Sequence, residues 1–159
     1  MLVAGTRTIS LRLARHFDVA REQVFDAWTA PEALKRLWCP PGWSPERIDV
    51  DLRPGGAYYF GMRNADTKSV VSIEGHFVDV HRPERLAYTW SWVGAFDGMP
   101  ETFVTVEFRA VATGTDVIVT HENIPDVQLW HKHRSGWIDA CDRMEQMLIG
   151  NERERRSRS

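Results

Sequence analysis

The sequence predicts an α+β fold in which one curved antiparallel sheet of about seven strands wraps around a long C-terminal helix, with two short helices after strand one. Three observations predict it. Apolar and polar residues alternate with period two in seven stretches, most of them joined by short turns. A single long stretch, roughly Pro125 to Leu148, shows helical spacing instead, with Trp130, Trp137, Ala140, Cys141 and Met144 on one broad face. At 1.5 Å per residue it spans about 35 Å, enough to cross a small domain. Only two short helical patterns stand elsewhere, so sheet must cover the long helix, and the sheet must curl to do it.

Thr8–Phe17 alternates Ile9, Leu11, Leu13 and Phe17 with polar or small residues and reads as the first strand. Arg21–Thr29 places Val24, Phe25 and Trp28 for a short helix, and Pro31 pre-sets the first turn of another, Ala33–Trp38. The linker Trp38-Cys39-Pro40-Pro41-Gly42-Trp43 stops the helix and carries an indole at each end, the pattern of a flap over a surface. Arg47–Leu52 and the run through Tyr58, Phe60 and Met62 form a hairpin about Pro54-Gly55-Gly56. Ser69–Val80 is a long strand with a bulge expected near Gly75; Leu86–Trp92, Thr102–Phe108 and Val117–His121 complete the meander. Gly136, inside the last helix, predicts a close approach of sheet or ligand to the helix backbone. The domain spans residues 7–149, and the arginine-rich segment 150–159 reads as a disordered basic tail.

The chain has 159 residues, 43% hydrophobic and 26% charged, which allows one domain with a sizeable core. A net charge of -2 argues against nucleic acid or an acidic membrane as partner. The N-terminal residues lack a leader pattern and no apolar run is long enough to span a membrane, so the expected location is cytoplasmic. Cys39 and Cys141 read as reduced thiols, without metal-binding spacing. His131 and His133 point to different sides of a helix, and no metal or cofactor is expected.

VFDAWTAPEALKRLWCPPGW (Val24–Trp43), DLRPGGAYYFGMR (Asp51–Arg63), RPERLAYTW (Arg82–Trp90), and THENIPD with HRSGW (Thr120–Asp126, His133–Trp137) occur in an order that resembles a known family. The chain is similar to the START-like (helix-grip, SRPBCC) superfamily, and within it to the family named after the C-terminal domain of the activator of heat-shock protein 90 ATPase. The resemblance covers about residues 7–149. It implies the helix-grip fold, which hosts carriers, cyclases and partner-binding domains. The co-chaperone's separate N-terminal domain has no counterpart in 159 residues, so a chaperone partner is carried as an alternative only.

The candidate site is an inward aromatic set on the sheet, Tyr58, Phe60, Phe77, Tyr88, Trp90 and Trp92, facing Trp130, Trp137 and Cys141 of the helix. His121 at the end of the last strand and His133 on the helix would place imidazoles at a cavity mouth, and Trp38 and Trp43 would form its lid. This pattern predicts a cofactor-free pocket for a small, mostly hydrophobic, aromatic or lipid-like molecule. One alternative is a cyclase, dehydratase or hydrolase on a polyketide-like substrate, with His121 or a tyrosine as acid or base. Another is a protein-interaction domain, and a homodimer is compatible with either. No catalytic residue is fixed by spacing. Asp49, Asp51, Glu74 and Glu107 have the outward parity of solvated sheet surface.

Overall fold

A computed structural model of the chain describes residues 7–158. The expectation of no leader at the N-terminus falls largely on residues 1–6, outside the described residues, as does Ser159 of the tail. Among these described residues are seven strands: β1 Ile9–Phe17, β2 Trp43–Val50, β3 Ala57–Asn64, β4 Val70–His81, β5 Arg85–Val93, β6 Thr102–Val111 and β7 Gly114–Ile124. Three helices accompany them: α1 Arg21–Thr29, α2 Pro31–Leu37 and α3 Val127–Ser157. Every strand pair is antiparallel and the order is β1-β7-β6-β5-β4-β3-β2, an open sheet with β1 and β2 at its edges. This is the helix-grip architecture. Since β1 and β2 are successive strands at opposite edges, α1 and α2 carry the chain across the sheet's concave side, beside α3.

Local chemistry explains the boundaries. Ala30 is held extended (ψ 128°) by the proline that follows it, so α1 ends there and Pro31 opens α2. β2 begins at Trp43, ahead of the expected Arg47. It is an edge strand, where Pro45 costs no ladder bond to a further neighbour, and the register shifts between Pro45 and Arg47. The irregularity in β4 lies between Phe77 and Asp79 instead of at Gly75. Gly75 serves close approach: a Cβ there would stand 2.2 Å from the Thr89 carbonyl oxygen of β5.

α3 is capped by Asp126, whose carboxylate accepts from the Leu129 N–H at 2.8 Å. The helix does not end near Leu148; it continues through Ser157, so 150–157 of the segment expected as a disordered tail is helical. Glu and Arg are good helix formers, and Glu152 and Arg155 pair at i,i+3 across 3.9 Å. Gly136 meets no close neighbour either: nothing lies within 4 Å of a Cβ built there, so it borders space, not sheet backbone.

The core gathers Leu11, Phe25, Leu86, Val104, Phe108 and Trp137, each nearly or wholly removed from solvent. A smaller cluster of Leu34, Phe60, Met62 and Val71 lies under Trp43. Outside, Asp49 and Asp51 pair with Arg47 and Arg53, and Glu107 with Arg109, as outward parity predicts. Among the described residues no helix is long and apolar enough to cross a membrane.

Candidate functional site

Strand parity and register build one wall of the site. Phe60 pairs with Ile73, and Phe77 with Tyr88, so aromatic and branched side chains of β3, β4 and β5 share the concave face. α1 and α2 lay Trp28, Leu34 and Trp38 over that wall. Between them is an inner cavity of about 60 Å³ bordered by Tyr58, Phe60, Phe77, Tyr88 and Trp90. A second, outer cavity of about 220 Å³ lies between the sheet and α3, bordered by Trp92, Phe96, His133, Gly136, Trp137 and Arg143. The two share three residues, Trp38, Ile73 and Trp90. The indoles of Trp38 and Trp90, 6.4 Å apart and steeply inclined, thus form a partition between two chambers.

Only the larger of these two spaces lies between the sheet and the C-terminal helix; the smaller lies between the sheet and the side chains of α1 and α2. Trp38 does not form a flap. Its ring is wedged edge-on against Trp28, Phe60, Trp90 and Trp137, at 5.2 to 6.4 Å. Trp43 borders neither chamber and packs on the smaller cluster. Trp130 turns to the β1 side, where its N–H donates to the Ser10 carbonyl at 3.2 Å. Cys141 is 1% exposed, a packed core thiol pushed by burial up to about 11.

The polar groups are mostly tied down. His121 Nδ1 accepts the Trp137 N–H at 3.1 Å, so its proton sits on Nε2 and is given to Thr102 Oγ1 at 2.7 Å. Thr102 in turn donates to the Trp90 carbonyl at 3.3 Å. His133 Nε2 accepts from Trp92 Nε1 at 2.9 Å and Nδ1 donates to the Leu129 carbonyl at 2.7 Å. The two rings stand 5.2 Å apart, edge to face, and among the described residues no carboxylate hydrogen-bonds to either. Burial, with His133 adding to it, lowers His121 to about 3, and burial also lowers His133. Both imidazoles are neutral structural linkers.

Tyr58 O–H donates to the Thr89 carbonyl, and burial raises its phenol well above the ordinary range. Tyr88 is raised likewise, and its oxygen accepts from Trp28 Nε1 at 3.4 Å. Two buried donors have no partner among the described residues, the indole N–H groups of Trp38 and Trp90.

Phe96 escaped the sequence reading. It sits in the β5–β6 loop at φ +52°, between Gly94 and Gly98 at φ +86° and +82°, and its ring meets Trp92 at 4.9 Å and His133 at 5.5 Å. The signal was an aromatic residue inside a Gly- and Pro-containing loop, the same pattern that drew attention to Trp38 and Trp43.

The model of the family described as Activator of Hsp90 ATPase homolog 1-like protein matches residues 18–149. Among solved structures, the chain is similar to a protein from Chromobacterium violaceum at 24% identity and a TM-score of 0.78, covering 87% of this chain and 95% of that one. An AHSA1 protein from Silicibacter pomeroyi matches at 24% identity and a TM-score of 0.77, covering 90% and 99%. An AHSA1-like protein from Aeromonas hydrophila matches at 23% and 0.74, covering 91% and 94%. These likenesses show a shared fold. No curated protein matches the chain.

Proposed function

This chain belongs to the Activator of Hsp90 ATPase homolog 1-like family, and we propose that it binds, without a cofactor, a small and mostly apolar molecule in the chambers on either side of Trp38 and Trp90. The supporting observation is a space of about 220 Å³ that shares Trp38, Ile73 and Trp90 with a neighbouring one of about 60 Å³, both walled largely by rings and aliphatic side chains. Drug-sized ligands occupy roughly 300–1,000 Å³, whereas an apolar cavity of about 150 Å³ holds benzene. The space suits a guest of about one ring; a long lipid chain would have to displace the partition.

The histidine geometry favours binding over acid–base chemistry, because every ring nitrogen of His121 and His133 already has a partner. An interaction surface would need a contiguous apolar patch, whereas exposed Leu52, Val78, Val93, Val111, Val127 and Ile149 are dispersed over several elements. Calorimetric titration with benzene tests the proposal: saturable binding near one equivalent is expected, and absence of saturable uptake overturns it.

A further inference from the structure

One stripe of α3 borders the outer chamber with Lys132, Gly136, Asp139 and Arg143, at i, i+4, i+7 and i+11. Among the described residues these three charged side chains are the only ones on either chamber wall. Arg143 is held differently from the other partly buried arginines. Arg15 meets Asp142 and Glu145, Arg21 meets Glu84, and Arg85 meets Asp79. Arg143 meets no carboxylate among the described residues; its Nε donates to the carbonyl of Leu37, the last residue of α2. That bond draws the side chain from α3 to the end of α2, beside Trp38 of the chamber wall, and leaves both terminal nitrogens without an acceptor among the described residues. Asp139, one turn earlier on the same wall, forms no ion pair with it. Cys39 lies within the field of Arg143, but burial raises its thiol above the ordinary value, so it stays neutral and supplies no counter-charge. A partly buried cation without a counter-ion has lost hydration that a bound anion would replace.

Resting on the binding reading above, we infer that the guest is an amphipathic carboxylate of about one ring, with its apolar body in the outer chamber and its carboxylate on the terminal nitrogens of Arg143. A guanidinium pinned through Nε keeps a planar pair of N–H donors that matches the two oxygens of a carboxylate. Lys132 fits the role less well. It is exposed, and its ammonium lies over the Phe96 ring, 5.5 Å from the centroid. Its Cα stands about 16 Å from that of Arg143 along the helix axis. Asp139 opposes the guest, since a second carboxylate on the same wall is repelled by it.

Benzoate and benzamide are a matched probe pair, alike in shape and differing in charge at pH 7. Each is titrated calorimetrically into the full chain. Benzoate is expected to bind on the order of tenfold more tightly, about the effect of one charge-assisted hydrogen-bonded pair. The preference should narrow as salt is added and disappear in Arg143→Gln, while Asp139→Asn should tighten benzoate a few-fold without changing benzamide. If Arg143→Gln does not fold, the native pair, the salt series and Asp139→Asn still decide. Equal affinity for the two probes, a preference for benzamide, or a benzoate preference that survives Arg143→Gln or falls with Lys132→Gln instead, overturns the assignment to Arg143 and leaves the binding reading standing. Binding of neither probe overturns the carboxylate guest, and if benzene is not bound either, the binding reading falls with it.

Discussion

Trp137 Nε1 donates to His121 Nδ1 at 3.1 Å, joining the middle of α3 to the inward face of β7 through two side chains that are 2% and 0% exposed. The bond fixes the imidazole tautomer and makes protonation at Nδ1 incompatible with the packed state.

A pH dependence follows. His121 falls from the ordinary 6.5 to about 3 in the folded chain, so between those values the unfolded chain binds more protons than the folded one. Stability is therefore full above about pH 6.5 and declines as pH falls toward 3, by up to about 1.4 kcal/mol per pH unit from this residue. His133 is lowered and acts in the same direction. His16 opposes them: Asp116, then Asp18, raises it at the surface, so its contribution is present at low pH and lost as pH rises through its folded value. Imidazole proton shifts followed from pH 8 to 4.5 check the assignment. His121 should stay at its neutral position throughout; a normal titration near 6.5 would contradict the buried, doubly bonded ring.

Gly75→Ala tests the packing of β4 on β5. Its new Cβ would lie 2.2 Å from the Thr89 carbonyl oxygen and 2.8 Å from Thr89 Oγ1, so backbone must move. The same carbonyl receives the Tyr58 hydroxyl, and the same Oγ1 accepts the His76 N–H. Destabilisation of at least ~2 kcal/mol in urea unfolding is expected, within the range of overpacked sites. A loss under about 0.5 kcal/mol would show that the strands are not so close.

The sheet, the two short helices and the long helix were legible because each rests on periodicity that burial enforces: Leu86, Tyr88 and Trp90 alternate inward because only one face of β5 meets the core. What could not be read is which way a broad helical face rolls. Trp130 and Trp137 both belong to that face, yet one reaches Ser10 on β1 and the other stacks on Trp28 at 6.0 Å. Trp38 was recognised as important but not as a partition, since its position depends on where α2 crosses the sheet, a tertiary relation that local pattern does not carry. Gly136 left two alternatives open, approach of sheet or of ligand, and only its neighbours rule out the sheet.

Phe96 is expected to govern entry to the outer chamber, since its ring closes against Trp92 and His133. Phe96→Ala should cost about 1–2 kcal/mol, for a side chain only partly buried, and speed guest exchange. Phe96→Gly should be no less stable than Phe96→Ala, because φ +52° favours glycine. Exchange broadening of bound-probe resonances reads the rate; unchanged exchange in both variants would place the entrance elsewhere.

The chambers as a binding site are tested most directly by benzene titration of Gly136→Leu against the native chain. Gly136 is exposed at the rim of the outer chamber with nothing within 4 Å of its missing Cβ, so leucine there adds apolar bulk at the chamber mouth without displacing backbone. Removing glycine from a helix interior also favours folding by roughly 0.5–1 kcal/mol. The account predicts a variant at least as stable as the native chain that has lost saturable benzene binding; a stable variant that binds benzene with native affinity would contradict it.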